Sequence, residues 1–445
     1  MAKTNVVRKT FTHEGARASR TTALESLRRS VMACMLFEDT FYEDGLSVAD
    51  RIAAAAAQVP LVDVIDLAVE ARRRGNLRHA PLWLMTAALD HPEYRKQLPK
   101  GMTSDQMRSL IVDGVDGVCQ RADDMGELVA MYWKGGKRPL AAALKAGLAK
   151  AFGKFDHYRL AKYAARGAIR LRDVMFLVHP KPANDQQAEL WNALADDRLT
   201  PADTWEVALS GGADKRETFM RLLGEGKLGG LATLRNLRNM KDAGVPKAIV
   251  EGALLSQAGK SGILPFQYVG ASLAVPGWED IIESAMLAAL DASRKLPGKT
   301  VLLVDTSGSM RDPLSGRSEL RREEAAAALA MLLREVCEEV EIASFDTEVI
   351  GVPPRRGFAL RDRLRARNKG TDAALGVRWA NSCKADRIVI ITDEQSATTI
   401  PAPVGRGYVM NVASNERGIG YGAWTHVSGF SENLVRYIVE VETAR

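Results

Sequence analysis

One short run constrains this chain more than any other part of it: VLLVDTSGSM, residues 301–310. Four apolar residues without polar alternation mark a strand buried on both faces, as in parallel sheets. The run ends on Asp305, and Ser307 and Ser309 follow at alternate positions of the loop. A second run of the same kind, RIVIITD, ends on Asp393, and Thr371 stands in NKGTDAALG where a helical stretch opens after a loop. Open α/β sheets bind ligands in the crevice beyond the carboxyl ends of their strands. Asp305, Ser307, Ser309, Thr371 and Asp393 are all oxygen donors, and that fold brings them to one sheet edge. Two carboxylates with three hydroxyls suit a hard divalent cation, Mg²⁺ or Mn²⁺, with open positions for water or an incoming acid. Simple helix capping would need five independent coincidences to produce the same pattern.

The surroundings agree. VEIASFD and GYVMNVAS are further strand candidates, and RREEAAAALAMLLREVCEE, TDAALGVRWANSC and SENLVRYIVEVE read as helices between and after them. Strands alternating with helices predict a doubly wound, mainly parallel α/β sheet over 297–445. The five donors resemble the metal-ion-dependent adhesion site of von Willebrand factor A domains, D-x-S-x-S followed by a distant Thr and Asp. Asp305-Thr306 lacks the D-x-D of haloacid-type phosphatases, and no G-x-x-x-x-G-K-[ST] supports a nucleotide loop.

The rest of the chain is built differently. At 445 residues, with 46% hydrophobic and 26% charged, two soluble globular domains are expected. Residues 1–296 hold amphipathic stretches such as TALESLRRSVMACMLF, VDVIDLAVEARRRG, APLWLMTAALDH and PLAAALKAGLAKAF, separated at short intervals by Gly and Pro. That pattern predicts stacked helical pairs, an α-helical repeat domain preceding the α/β domain. No stretch approaches the length of a membrane span, and MAKTNVVRKTFTHEG has no apolar signal core. Four cysteines without paired spacing point to reduced thiols and a cytoplasmic setting.

The net charge of +6 is unevenly spread. From Lys134 to Arg172 eleven Lys and Arg stand against one acid, Asp156, a local charge of +10 in a chain that is otherwise slightly acidic. Such a concentration favours a polyanionic partner through counterion release. Its cations include Arg138, Lys145, Arg159, Lys162, Arg166, Arg170 and Arg172, with His179 and Lys181 just beyond. Lys162 and Arg166 are four apart and are expected to share a helix face with Arg159, and Gly167 to end that helix in the left-handed conformation.

YWKGGKRPLAAALKAGLAKAF, YRLAKYAARGAIRLRDVMFLVHPKP, GKLGGLATLRNLRNM and LPFQYVGA resemble the TROVE domain of the Ro RNA-binding proteins. With the A domain included, the resemblance covers most of the chain in the family's order of segments. It implies a ring of HEAT-like helical repeats closed by the A domain. Small structured RNA of the Y type would bind on a basic outer face and single-stranded RNA ends in the hole. The work implied is RNA quality control and degradation, sometimes with an exoribonuclease tethered through the RNA. Carried over by position, the Y-RNA contacts fall on Lys162, Arg166 and His179, whose corner here reads His-Pro-Lys-Pro. Tyr158 and Tyr163 could stack on bases or pack between helices. No hydrolytic constellation stands out, so the chain reads as a binder, not an enzyme. Two other classes stay open: a metal-dependent adhesion module for an acidic protein ligand, and a metal-dependent phosphotransferase acting through Asp305.

Overall fold

The structure, a computed structural model, describes residues 22–33, 45–75, 77–259, 263, 265–291, 295–314, 320–413, 422–428, 438 and 442. They form two compact units. One holds Ala49–Leu228 with Ala243–Val245, and the other holds the remaining described residues. The changeover from helix to strand falls near 296, inside the second of these units.

The first unit is helical. Leu61–Arg73 packs on His79–Asp90 and on Ser104–Val118, which in turn packs on Ala142–Phe152. Each helix buries a stripe such as Leu61, Val64, Ile65, Leu67 and Ala68 in the first of them. Local caps fix where they start. Thr103 Oγ1 accepts from Gln106 N–H at 3.2 Å while Gln106 Oε1 accepts from Thr103 N–H at 2.9 Å, a reciprocal capping box. The start of the Ala122–Tyr132 helix is held by Asp124, a fully buried carboxylate in its first turn. It accepts from the Gln120 and Arg121 amides and from the guanidinium groups of Arg72 at 2.7 Å and Arg78 at 3.0 Å.

One glycine in that helix lets a neighbouring loop approach. A Cβ on Gly126 would lie 2.3 Å from the Ile169 carbonyl oxygen, in the loop that joins His157–Tyr163 to Leu171–Val178. Gly126→Ala must push that loop outward, at a cost of about 1–3 kcal/mol. At ~2–4 °C per kcal/mol, a thermal melt should show a fall of several degrees. An unchanged melt would mean that the loop yields freely.

The second unit is built on a six-stranded sheet: β1 (Leu296–Asp305), β2 (Cys337–Phe345), β3 (Val349–Val352), β4 (Arg387–Thr392), β5 (Arg406–Asn411) and β6 (Trp424–Ser428), in the order β3-β2-β1-β4-β5-β6. All neighbours pair in parallel except β3, a short antiparallel edge. Val301 and Leu303 of β1 face a core with Phe345, Ala373, Val377 and Ile390, under the Ala373–Ser382 helix. Leu302 and Val304 point by alternation to the other face, where the Ala-rich helix Arg322–Val336 is buried almost all round. That helix ends at Val336 and the chain passes directly into β2. The "CEE" read as its last turn is therefore strand, because parallel pairing of Cys337 with Leu296 overrides helix propensity.

Helices Pro265–Ala274 and Glu279–Asp291 pack on Arg322–Val336, which is why residues upstream of β1 belong to this unit. Two polar ties secure them. Glu283 Oε1 accepts from the Phe358 amide at 2.6 Å, and the Arg361 guanidinium donates to Ser272 Oγ at 2.9 Å in a buried position. The helix expected from SENLVRYIVEVE lies outside the described residues apart from Ile438 and Glu442. No helix among the described residues is long and apolar enough to cross a membrane.

Candidate functional site

β1 and β4 lie side by side where the strand order reverses, the position at which open α/β sheets bind ligands. Asp305 ends β1 and Asp393 follows β4 directly, both fully buried. Asp305 Oδ1 accepts from the Ser307 amide at 2.9 Å, and its Oδ2 accepts from the Thr392 hydroxyl at 2.6 Å. A single 3₁₀ turn, Gly308–Arg311, then sets Ser309 Oγ 3.3 Å from Ser307 Oγ. Gly308 N–H donates to Lys369 O at 2.9 Å, and Ala397 N–H to Thr371 O at 3.0 Å. The segment carrying Thr371 is thus laced to both strand-end loops. Thr371 is buried but does not open its helix: Asp372 is the N-cap, accepting from the Leu375 amide at 3.0 Å.

The electrostatics suit a cation. Burial, with the charge of nearby Asp393, holds the Asp305 carboxyl well above the usual carboxylate range. Two buried acids that repel one another are the condition a divalent ion relieves. Among the described residues no three of His, Cys, Asp or Glu are placed to hold a metal ion, so a shell built on these two acids would draw on the hydroxyls beside them. Asp305, Ser307, Ser309, Thr371 and Asp393 fit a hard ion by donor chemistry. Sequence reasoning missed a sixth group here. Arg322, fully buried at the start of its helix, donates to Asp393 Oδ2 at 2.9 Å and to Ser309 O at 3.2 Å.

The basic residues lie in the helical unit. His157–Tyr163 is capped by Asp156, which accepts from the Arg159 amide at 2.8 Å. The helix ends at Tyr163, so Arg166 sits in the turn beyond it, its amide donating to Tyr163 O, and does not share a helix face with Lys162. The early end frees the chain to turn at Gly167, φ +84°. The two cations meet all the same. Lys162 Nζ and the Arg166 guanidinium each stand 5.8 Å from the Tyr163 ring centroid, and Arg121 stands at 4.7 Å. Tyr163 is half-buried among them, whereas Tyr158 is 42% and Phe176 52% exposed. His179 closes the Leu171–Val178 helix in the left-handed region, φ +48°, with its amide on Met175 O and its side chain, like that of Lys181, exposed.

Acid partners temper the charge. Six of the eleven cations are paired: Arg138 with Asp90, Lys150 with Asp113, Lys154 with Asp116, Arg159 with Asp156, Arg166 with Glu206 and Arg172 with Asp197. Five of those acids come from outside the segment, which halves its net charge of +10. Lys137, Lys145, Lys162, Arg170 and Lys181 have no acid within ion-pair distance among the described residues.

Residues 299–405 match the family model of the Ro60 vWA domain. This part of the chain is similar to a von Willebrand factor A domain of the Ro60 type. The chain as a whole is similar in fold to the crystal structure of the Deinococcus radiodurans RO (RSR) protein, with a TM-score of 0.59 and 16% identity over 94% of this chain and 99% of that one. No curated protein matches it. The matched residues include the whole donor set, Asp305, Ser307, Ser309, Thr371 and Asp393. Its contacts to Arg322 and Thr392 left no trace in spacing, since both partners arrive through sheet topology. Phe176 is the group the basic segment hid: an exposed aromatic on a helix that buries Leu171, Val174, Met175 and Val178, a contrast that helical periodicity could have revealed.

Proposed function

We propose that the protein is a Ro-type RNA-binding protein. It holds small structured RNA, of the Y type or similar, through the phosphates around Lys162, Arg166 and His179, and it takes part in RNA quality control. The observation that carries this reading is the cluster of cations around Tyr163, with exposed aromatics Tyr158 and Phe176 on the same unit, in a chain that shares the fold of a Ro protein. Cations position phosphates, and exposed rings offer faces on which unpaired bases stack. Arg159, Arg138, Lys145, Arg170, Arg172 and Lys181 extend the cationic surface. Single-stranded RNA ends, and an exoribonuclease tethered through RNA, are the further partners of this reading. It assigns the protein no reaction of its own.

The A domain serves a second purpose in this proposal. Asp305, Ser307, Ser309, Thr371 and Asp393 would hold Mg²⁺ or Mn²⁺, and a bound ion would present an electrophile to a carboxylate of an acidic protein partner. The site's two acids roughly offset a divalent charge, so little pull on RNA remains.

Replacing Lys162 and Arg166 together by Ala should weaken binding of a folded RNA about thirtyfold, at ~1 kcal/mol per lost phosphate contact. The melt should hardly move, since Lys162 has no acid partner among the described residues and the Arg166–Glu206 pair, at 3.6 Å, is exposed. Adding EDTA at fixed ionic strength should change affinity only a few-fold, with an RNA that folds without Mg²⁺. Unchanged binding by the double variant, or loss on chelation as complete as that of the variant, would overturn the assignment.

A further inference from the structure

Arg322 is the first residue of a helix packed against the central sheet, and its guanidinium is directed at the strand-end crevice. It reaches Asp393 Oδ2 at 2.9 Å and the Ser309 carbonyl at 3.2 Å, with Asp312 Oδ2 at 3.6 Å. Its own amide donates to Asp312 O at 3.0 Å. One side chain therefore joins the end of β4 to the turn that follows the Ser307–Ser309 pair. It also supplies a fixed positive charge to one of the two acids that repel each other there.

A buried carboxylate needs a countercharge, and Asp393 already has one in Arg322. A divalent ion drawing on the same Oδ2 would meet a guanidinium within hydrogen-bond distance, two cations in contest for one oxygen. Their repulsion is strong in a buried site, where little water screens it. We propose that Arg322 is a built-in competitor of the metal: the ion loads only as the guanidinium leaves Asp393, and Asp312 receives the displaced group. Asp312 is suited to that part because it is already within 4 Å and only partly buried, so the move needs a rotation of one side chain. Loading would then alter the ties of the Ser309–Asp312 turn and of the helix start, and the occupied and vacant forms of the crevice would present different surfaces to a partner. This rests on the metal reading of Asp305 and Asp393 made above.

The test is Mn²⁺ titration by calorimetry, with thermal melts in EDTA and in excess Mn²⁺, on the full chain and its variants. Arg322→Gln should bind Mn²⁺ at least tenfold more tightly than the parent. It should melt lower in EDTA, where Asp393 has lost its countercharge, and recover more of its melting temperature on adding Mn²⁺ than the parent gains. Asp312→Asn, which removes the receiving carboxylate, should bind Mn²⁺ more weakly. If Arg322→Gln cannot be purified, Arg322→Lys replaces it, with a smaller gain expected because lysine keeps the charge but lacks the planar fork. Mn²⁺ affinity equal to or below the parent's in the Arg322 variant overturns the competition while leaving the metal site standing. An absence of Mn²⁺ binding by the parent and the Arg322 variant alike overturns the metal reading itself.

Discussion

Raising the salt concentration from 50 to 200 mM should cut the affinity for folded RNA on the order of a thousandfold. That follows if about six phosphates are engaged, because each releases counterions and steepens the dependence by a fixed amount. Lys137, Lys145, Lys162, Arg170 and Lys181 have no acid partner among the described residues and can take phosphates without breaking an ion pair. Arg159 adds to them, since Asp156 holds it only at 4.0 Å. The tighter pairs should contribute less. Arg138 grips Asp90 with both ends of its fork, at 2.8 and 2.6 Å, and must exchange a carboxylate for a phosphate at little net gain. The slope of affinity against salt, measured by fluorescence anisotropy on one RNA, therefore counts the cations that act. A flat response would end the electrostatic reading altogether. A slope near ten would show that the paired arginines and lysines exchange freely.

Asp305→Asn should abolish metal binding while the fold survives. The amide is isosteric: its oxygen can still accept from the Ser307 amide, as Oδ1 does at 2.9 Å, and its nitrogen, standing where Oδ2 accepts from the Thr392 hydroxyl at 2.6 Å, keeps that contact by donating once the hydroxyl turns to accept. What disappears is one of two negative charges, leaving Asp393 alone, with Arg322 already upon it. A single compensated carboxylate and a few hydroxyls are too weak to strip water from Mg²⁺. The melt in EDTA should stay level or rise, since a buried acid that burial and Asp393 both disfavour has been neutralised. A titration of Mn²⁺ into this variant checks the point. An isotherm like the parent's would place the ion elsewhere.

How much of this could be read from the chain depended on how far apart the cooperating residues lie. Asp305, Ser307 and Ser309 are spaced for one loop, and an apolar run immediately before them says which end of a strand they occupy. Asp393 is legible for the same reason. Arg322 was not, because RREEAAAA looks like any charged helix start until β1 and β4 are paired and the helix is laid across them. The edge strand β3 escaped notice as four residues with a glycine among them. In the helical unit, the cations were visible but their partners were not. Asp90, Asp113, Asp116, Asp197 and Glu206 are remote in sequence, and only packing brings them to the basic segment. Lys162 and Arg166 illustrate a subtler failure. Helical spacing put them on one face, yet the helix stops at Tyr163, and a tyrosine ring brings them together instead.

The helices Pro265–Ala274 and Glu279–Asp291, tied down by Ser272 and Glu283, bear on heredity as well as stability. A gene segment cut at the start of β1 would encode a sheet whose covering helix, Arg322–Val336, has lost the layer that keeps its outer side dry. The A domain of this chain is thus no bead that recombination could slip from one string to another. To travel intact it must carry its upstream helices with it, and a lineage that acquires it inherits part of the helical chain in the same stroke.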